Sequence, residues 1–148
     1  MKKNASNKGF TLIELVVVIG ILAVLLAIVL IAINPARQFA ISRNTVREAN
    51  VNSILSASWQ YAIANQGNLP AAITATSNEI CKTGASNCTG FVDLSVLTQE
   101  GMYIVKIPED PTTNTGNGTG YFIQKMANGR LKVTAPKAEL ETTIEVQN

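Results

Sequence analysis

Apolar residues are spread unevenly along the chain, and the unevenness alone divides it. From Phe10 to Ile33 the positions are almost continuously apolar, with Glu14 the one charged residue. At about 1.5 Å rise per residue, about 24 residues span roughly 36 Å as a helix, enough for a hydrocarbon core of about 30 Å. The run therefore predicts a membrane-crossing helix. A secretory signal peptide would have a shorter apolar core and then a small-x-small cleavage site; Ala32-Ile33-Asn34 is a poor one. Asn34-Pro35 predicts a break and a restart, because proline lacks an N–H, disfavours helix at the residue before it, and fits the first position of a new helix behind an asparagine cap. From Ala36 to Asn65, Val51, Ile54, Leu55, Trp59, Ala62 and Ile63 recur at helical spacing and predict an amphipathic helix with Trp59 in the core. Gln66 to Pro70 ends it, Gly67 suiting a left-handed cap.

Past Pro70 the period changes. Residues 71–90, rich in Thr, Ser, Asn and Ala, predict a loop that carries both cysteines, Cys81 and Cys88. Asp93 to Leu97 predicts a capped short helix and Tyr103 to Ile107 a strand; Pro108 to Gly120 is a turn-rich loop. Tyr121 to Met126 and Arg130 to Ala135 flank Asn128-Gly129, a hairpin signal, and Thr142 to Val146 adds a further strand. The expected fold is α+β: a long N-terminal helix, half membrane-spanning and half amphipathic, packed against a small antiparallel β-sheet head. Its parts are a span over 10–33, an amphipathic helix over 34–66, and a head over 67–148 with its sheet over about 103–147.

Charge and composition narrow the function. Net charge is +2, but Lys2, Lys3 and Lys8 precede the apolar run, and beyond Ile33 nine Lys and Arg face nine Asp and Glu. That balance leaves no electrostatic footprint for a nucleic-acid binder. Lys125, Arg130 and Lys132 share the expected hairpin, where ordinary surface charge is the expectation and DNA is not an expected partner. The chain has no histidine, so no Ser/His/Asp, Cys/His or zinc arrangement can be assembled, and neither enzyme activity nor a cofactor is expected. Glu109, Asp110, Asn114 and Asn117 offer oxygen ligands on one loop, but their spacing fits no EF-hand; a plain solvated turn without metal is expected. Asn87-Cys88-Thr89 and Asn117-Gly118-Thr119 match the short glycosylation pattern, which arises often by accident.

Glu14 is the anomaly, since a carboxylate at the bilayer centre costs roughly 2.5 to 3.5 kcal/mol on insertion scales. It stands in the string Lys8-Gly9-Phe10-Thr11-Leu12-Ile13-Glu14, after a short basic leader and before the unbroken apolar stretch. This arrangement resembles the class III signal of type IV prepilins and pseudopilins. The resemblance implies that residues 1–9 are a leader, cut on the cytoplasmic face by a prepilin peptidase between Gly9 and Phe10, and that the new amine of Phe10 is methylated. It implies a cytoplasmic leader, a head outside the inner membrane, and later export into a surface filament. Glu14 would then align each new subunit by meeting the Phe10 amine of its neighbour. The implied partners are the peptidase, other copies of the chain, a pilus or secretion assembly platform and the inner membrane. The expected function is a structural pilus subunit; the alternatives are a pseudopilin of a secretion or DNA-uptake machine, and a bitopic membrane protein with an unrelated binding head. Many pilins carry a helix-breaking proline where this chain has Ile31, and major pseudopilins hold calcium in a loop near that of Glu109. With the head outside the membrane, where oxidation is permitted, Cys81 and Cys88 are expected to close a disulfide.

Overall fold

The structure is a computed structural model that describes residues 9–112 and 116–148. Lys2, Lys3, Lys8 and Asn114 lie outside the described residues. The chain forms two compact units, one ending at Gln38 and one spanning Phe39–Asn148.

The first unit is dominated by α1, Leu12–Ile33, none of whose residues is buried. By length and composition it can cross a membrane. Helix α1 stops at Asn34, which takes the left-handed conformation (φ 47°) that a short polar side chain tolerates. Helix α2, Pro35–Ala64, begins at the next residue, where the missing proline N–H leaves no donor unpaired. The Asn34 side-chain oxygen accepts from the Arg37 N–H at 3.3 Å.

The second unit is built around α2 from Phe39 onward. Strands β1 (Asn78–Cys81), β2 (Gly118–Lys125), β3 (Leu131–Ala135) and β4 (Ile144–Gln147) form one sheet in that order, every pair antiparallel. The layout is the expected α+β one. Strand β3 shows why it folds this way: Leu131, Val133 and Ala135 turn inward while Lys132 and Thr134 alternate outward. The inward set joins Val51, Ile54 and Leu55 of α2 in one core with Ile80, Tyr121, Ile123 and Ile144. The hairpin forms around Asn128-Gly129, with Gly129 at φ 82° and the Met126 N–H donating to the Arg130 carbonyl at 2.7 Å.

Four features differ from the sequence reading. First, the sheet has a strand inside the expected 71–90 loop: Asn-Glu-Ile-Cys does not alternate, and β1 exists because β2 supplies the pairing, across a bulge between Glu79 and Cys81. Second, Tyr103 to Ile107 is not a strand. Two of its N–H groups are met outside any sheet, Ile104 N–H by the Leu97 carbonyl at 3.2 Å and Ile107 N–H by the Thr83 hydroxyl, 24 positions away, at 2.9 Å, while Tyr103 packs edge-on against Tyr61. Third, a short helix α3, Ser95–Thr98, starts later than Asp93, whose carboxylate instead accepts from the Ser95 N–H at 2.9 Å. Fourth, Ile63 is 80% exposed. At 3.6 residues per turn Ile63 lies about 120° round α2 from Val51, beyond the core face, with half-buried Trp59 between them at about 80°.

Candidate functional site

Of the signal string, Gly9, Phe10 and Thr11 sit on open, non-helical chain ahead of α1, and Glu14 lies in the first turn of α1. Gly9 and Phe10 are exposed and unassigned to any element, and Phe10 is 94% exposed, so the Gly9–Phe10 peptide bond is accessible. Thr11 then caps α1. Its hydroxyl accepts from the Glu14 N–H at 3.3 Å, while one Glu14 carboxylate oxygen accepts from the Thr11 N–H at 2.8 Å and from the Thr11 hydroxyl at 2.7 Å. This reciprocal capping box satisfies two orphan donors of the first turn. It also turns the charge back toward the start of the helix, beside the residue that would carry the new amine. Thr11 was missed as a functional residue, although Thr-x-x-Glu before an apolar run is a legible capping signature.

The cysteines are joined. Cys81 and Cys88 form a disulfide with their Cα atoms 5.6 Å apart, Cys81 buried at the end of β1 and the intervening loop at the surface. Beside it Glu109 accepts from Lys82 at 3.1 Å and lies 3.5 Å from Lys106; the Lys82 hydrogen bond holds its carboxyl below the ordinary range.

Asp110 corrects the expectation of a plain solvated turn. It is 2% exposed and bound to Arg47, which α2 buries completely. Arg47 Nε donates to one Asp110 oxygen at 2.7 Å and Nη2 to the other at 3.3 Å; Nη1 donates to Asn44 Oδ1 at 2.9 Å, and Nη2 to the Thr112 hydroxyl at 3.1 Å. Burial pushes the Asp110 carboxyl up, and the hydrogen bonds from Arg47 and Thr112 outweigh it, holding the group below its usual range. Tyr121 moves the other way, burial raising its phenol despite the Asn50 hydrogen bond. Nearby, Arg43 grips Glu139 with bonds of 2.7 to 3.1 Å, lowering the Glu139 carboxyl and raising its own guanidinium. Glu109 and Asp110 are thus engaged by basic side chains, and among the described residues no group of three or more acidic, cysteine or histidine side chains is arranged to hold a metal.

The remaining surface candidates are dispersed. Lys132 is paired with Glu145, leaving exposed Lys125 and Arg130 on the hairpin. Thr119 of one glycosylation pattern is fully buried, and Asn87 of the other accepts from the Thr89 N–H and hydroxyl at 2.8 and 2.7 Å.

A family model described as the prokaryotic N-terminal methylation motif matches residues 4–30. That match, which takes in most of the apolar helix α1, fits a type IV pilin or pseudopilin. Neither a curated protein nor a solved structure matches the chain.

Proposed function

We propose that the chain is the precursor of a structural subunit of a type IV pilus-like filament. The carrying observation is the methylation motif on residues 4–30, standing directly on a helix whose entire apolar surface is exposed in the single chain. Pilins and pseudopilins are structural proteins, and nothing in the proposal requires catalysis by this chain. A prepilin peptidase hydrolyses the accessible Gly9–Phe10 bond on the cytoplasmic side of the inner membrane, and a methyl group is added to the freed amine of Phe10. The head stands outside that membrane, and an assembly platform draws processed subunits into the filament.

Glu14 has two states in this account. In the single chain its carboxylate is occupied by the Thr11 N–H and hydroxyl. In the filament it meets the Phe10 amine of a neighbouring copy, which is cationic at neutral pH with a reference pKa near about 8. Opposite charge in a low dielectric makes burial of the carboxylate tolerable, and the helices around it bury the apolar surface that α1 leaves bare.

Mass spectrometry of the mature N-terminus tests the first step: the expected product begins at Phe10 and carries an added methyl group. A chain that still begins at Met1 in cells with an active peptidase would contradict it. A pseudopilin shares the signal and the helix. Long filaments sheared from cells, with this chain as the main band, separate the two readings in favour of a pilus subunit.

A further inference from the structure

Arg47 is the one fully buried charged side chain in the described core that reaches more than one loop, and its partners lie far apart in sequence. On one side it holds Asp110 and Thr112 of the loop that leads into β2. On the other it donates to Asn44 Oδ1, and that same oxygen accepts the Glu139 N–H at 3.0 Å while Asn44 Nδ2 donates to the Glu139 carbonyl at 2.8 Å. Asn44 therefore grips the main chain of Glu139 from both sides. Arg47 also lies 3.8 Å from a Glu139 carboxylate oxygen, and Arg43 bonds that carboxylate from the flank.

The residues after this grip are strained. Leu140 (φ 60°) and Glu141 (φ 56°) are consecutive non-glycine residues in the left-handed region, and Leu140 is left 47% exposed. Such backbone persists only where the surroundings over-determine it. The turn is bonded on both sides: Asn44 holds the Glu139 main chain one residue earlier and is itself bonded to Arg47, and Thr142 donates to the Glu139 carbonyl at 3.3 Å and to the Leu140 carbonyl at 3.4 Å.

We propose that Arg47 is a latch joining two loops of the head, 108–112 and 136–143, so that both close on α2 or both release, and that closure presses Leu140 and Glu141 into their left-handed conformation. Arg47 touches both Asp110 and Glu139, whose like charges repel one another. Breaking the Asp110 end is therefore felt at the Glu139 end, while the β2–β3 and β3–β4 pairings, which use none of the latch side chains, stay formed, and the Asp110 N–H keeps its 2.8 Å bond to the Thr119 carbonyl of β2.

Amide hydrogen exchange read by mass spectrometry on the full chain in detergent micelles tests this. Asp110→Asn keeps the side-chain shape and removes the charge that anchors the guanidinium. Exchange is expected to quicken in peptides covering 108–112 and equally in those covering 136–143, at least tenfold beyond any loss of protection that β2 and β3 show from the lower global stability. Arg47→Lys, which keeps one charge but loses the fork, is expected to give the same paired loosening. Loosening of 108–112 alone would overturn the coupling, and loosening of β2 and β3 as large as that of the two loops would overturn the latch as a device separate from the fold.

Discussion

Helix α1 and the head treat charge in opposite ways. In α1 one carboxylate, Glu14, stands on a surface that is otherwise apolar and exposed along its whole length, and its partners within the chain are the groups of Thr11. In the head Arg47 and Asp110 are both buried, and their bonds are filled by side chains of the same chain. A buried ion pair is destabilising to break because a lone charge stays behind. The head has therefore closed its electrostatics internally, while α1 keeps an exposed hydrophobic surface and a charge capped by Thr11, which the proposed filament would complete. The difference separates the part of the chain that folds on itself from the part that, in the proposed filament, assembles.

The comparison can be broken at its strongest point by removing the head's internal cation. Arg47→Met removes the cation that balances the buried Asp110 charge and is expected to destabilise the head by about 3 to 5 kcal/mol. Thermal melting of the full chain in detergent, followed by near-ultraviolet circular dichroism, reads it; an unchanged melting temperature would mean that the buried pair contributes nothing. Opening the Cys81–Cys88 disulfide releases a loop of about eight residues and is expected to cost roughly 2 to 3 kcal/mol by chain entropy. Reductant should therefore lower the melting point of the wild type and leave a Cys81→Ala, Cys88→Ala double variant unmoved. Trp59, half-buried at the edge of the core face, is expected to cost about 2 kcal/mol on Trp59→Ala, below the about 3 to 5 of a fully buried tryptophan, while exposed Gln60→Ala stays within about 0.5 kcal/mol. Equal melting points for these two variants would contradict the packing of α2 on the sheet.

Acid sharpens the same contrast. The carboxyls of Asp110 and Glu139 are held below their ordinary values, Asp110 by Arg47 and Thr112 against the effect of burial and Glu139 by Arg43. At mildly acidic pH the unfolded chain then binds more protons than the folded one. Their contribution to stability is complete above the ordinary carboxylate range, at about pH 4, and is lost as pH falls through the lowered values. The wild-type melting point should fall more steeply below about pH 4 than that of Asp110→Asn; parallel curves would remove Asp110 from the acid response.

What could be read from the sequence divides along the same line. The span, its lone Glu14, the Asn34-Pro35 break and the Asn128-Gly129 hairpin are local patterns, each set by residues within a few positions of one another. Arg47 was not legible. A single arginine on a helix reads as a surface charge, and the residue that makes it a core side chain, Asp110, lies 63 positions away. Strand β1 was hidden for a similar reason, since Asn78-Glu79-Ile80-Cys81 has little strand character until Gly118 to Ile123 pairs with it. Ile63 looked like a core residue because periodicity fixes the spacing of a stripe but not how far round the helix the sheet reaches. Of the candidate site, Gly9, Phe10 and Glu14 stood out through their order, whereas the Thr11 bond that occupies Glu14, legible as a Thr-x-x-Glu cap, was recognised from the side-chain geometry.

The central claim is that α1 carries an unfinished ion pair which assembly completes. Filament yield from cells making Glu14→Ala, compared with wild type at equal amounts of processed protein, tests it most directly. The account predicts that cleavage after Gly9 and membrane insertion persist while sheared filaments fall to a small fraction of wild type, with Glu14→Asp, shorter in reach, retaining part of the yield. Wild-type filament yield from fully processed Glu14→Ala protein would contradict the account and leave Glu14 as the cap of a membrane helix and nothing more.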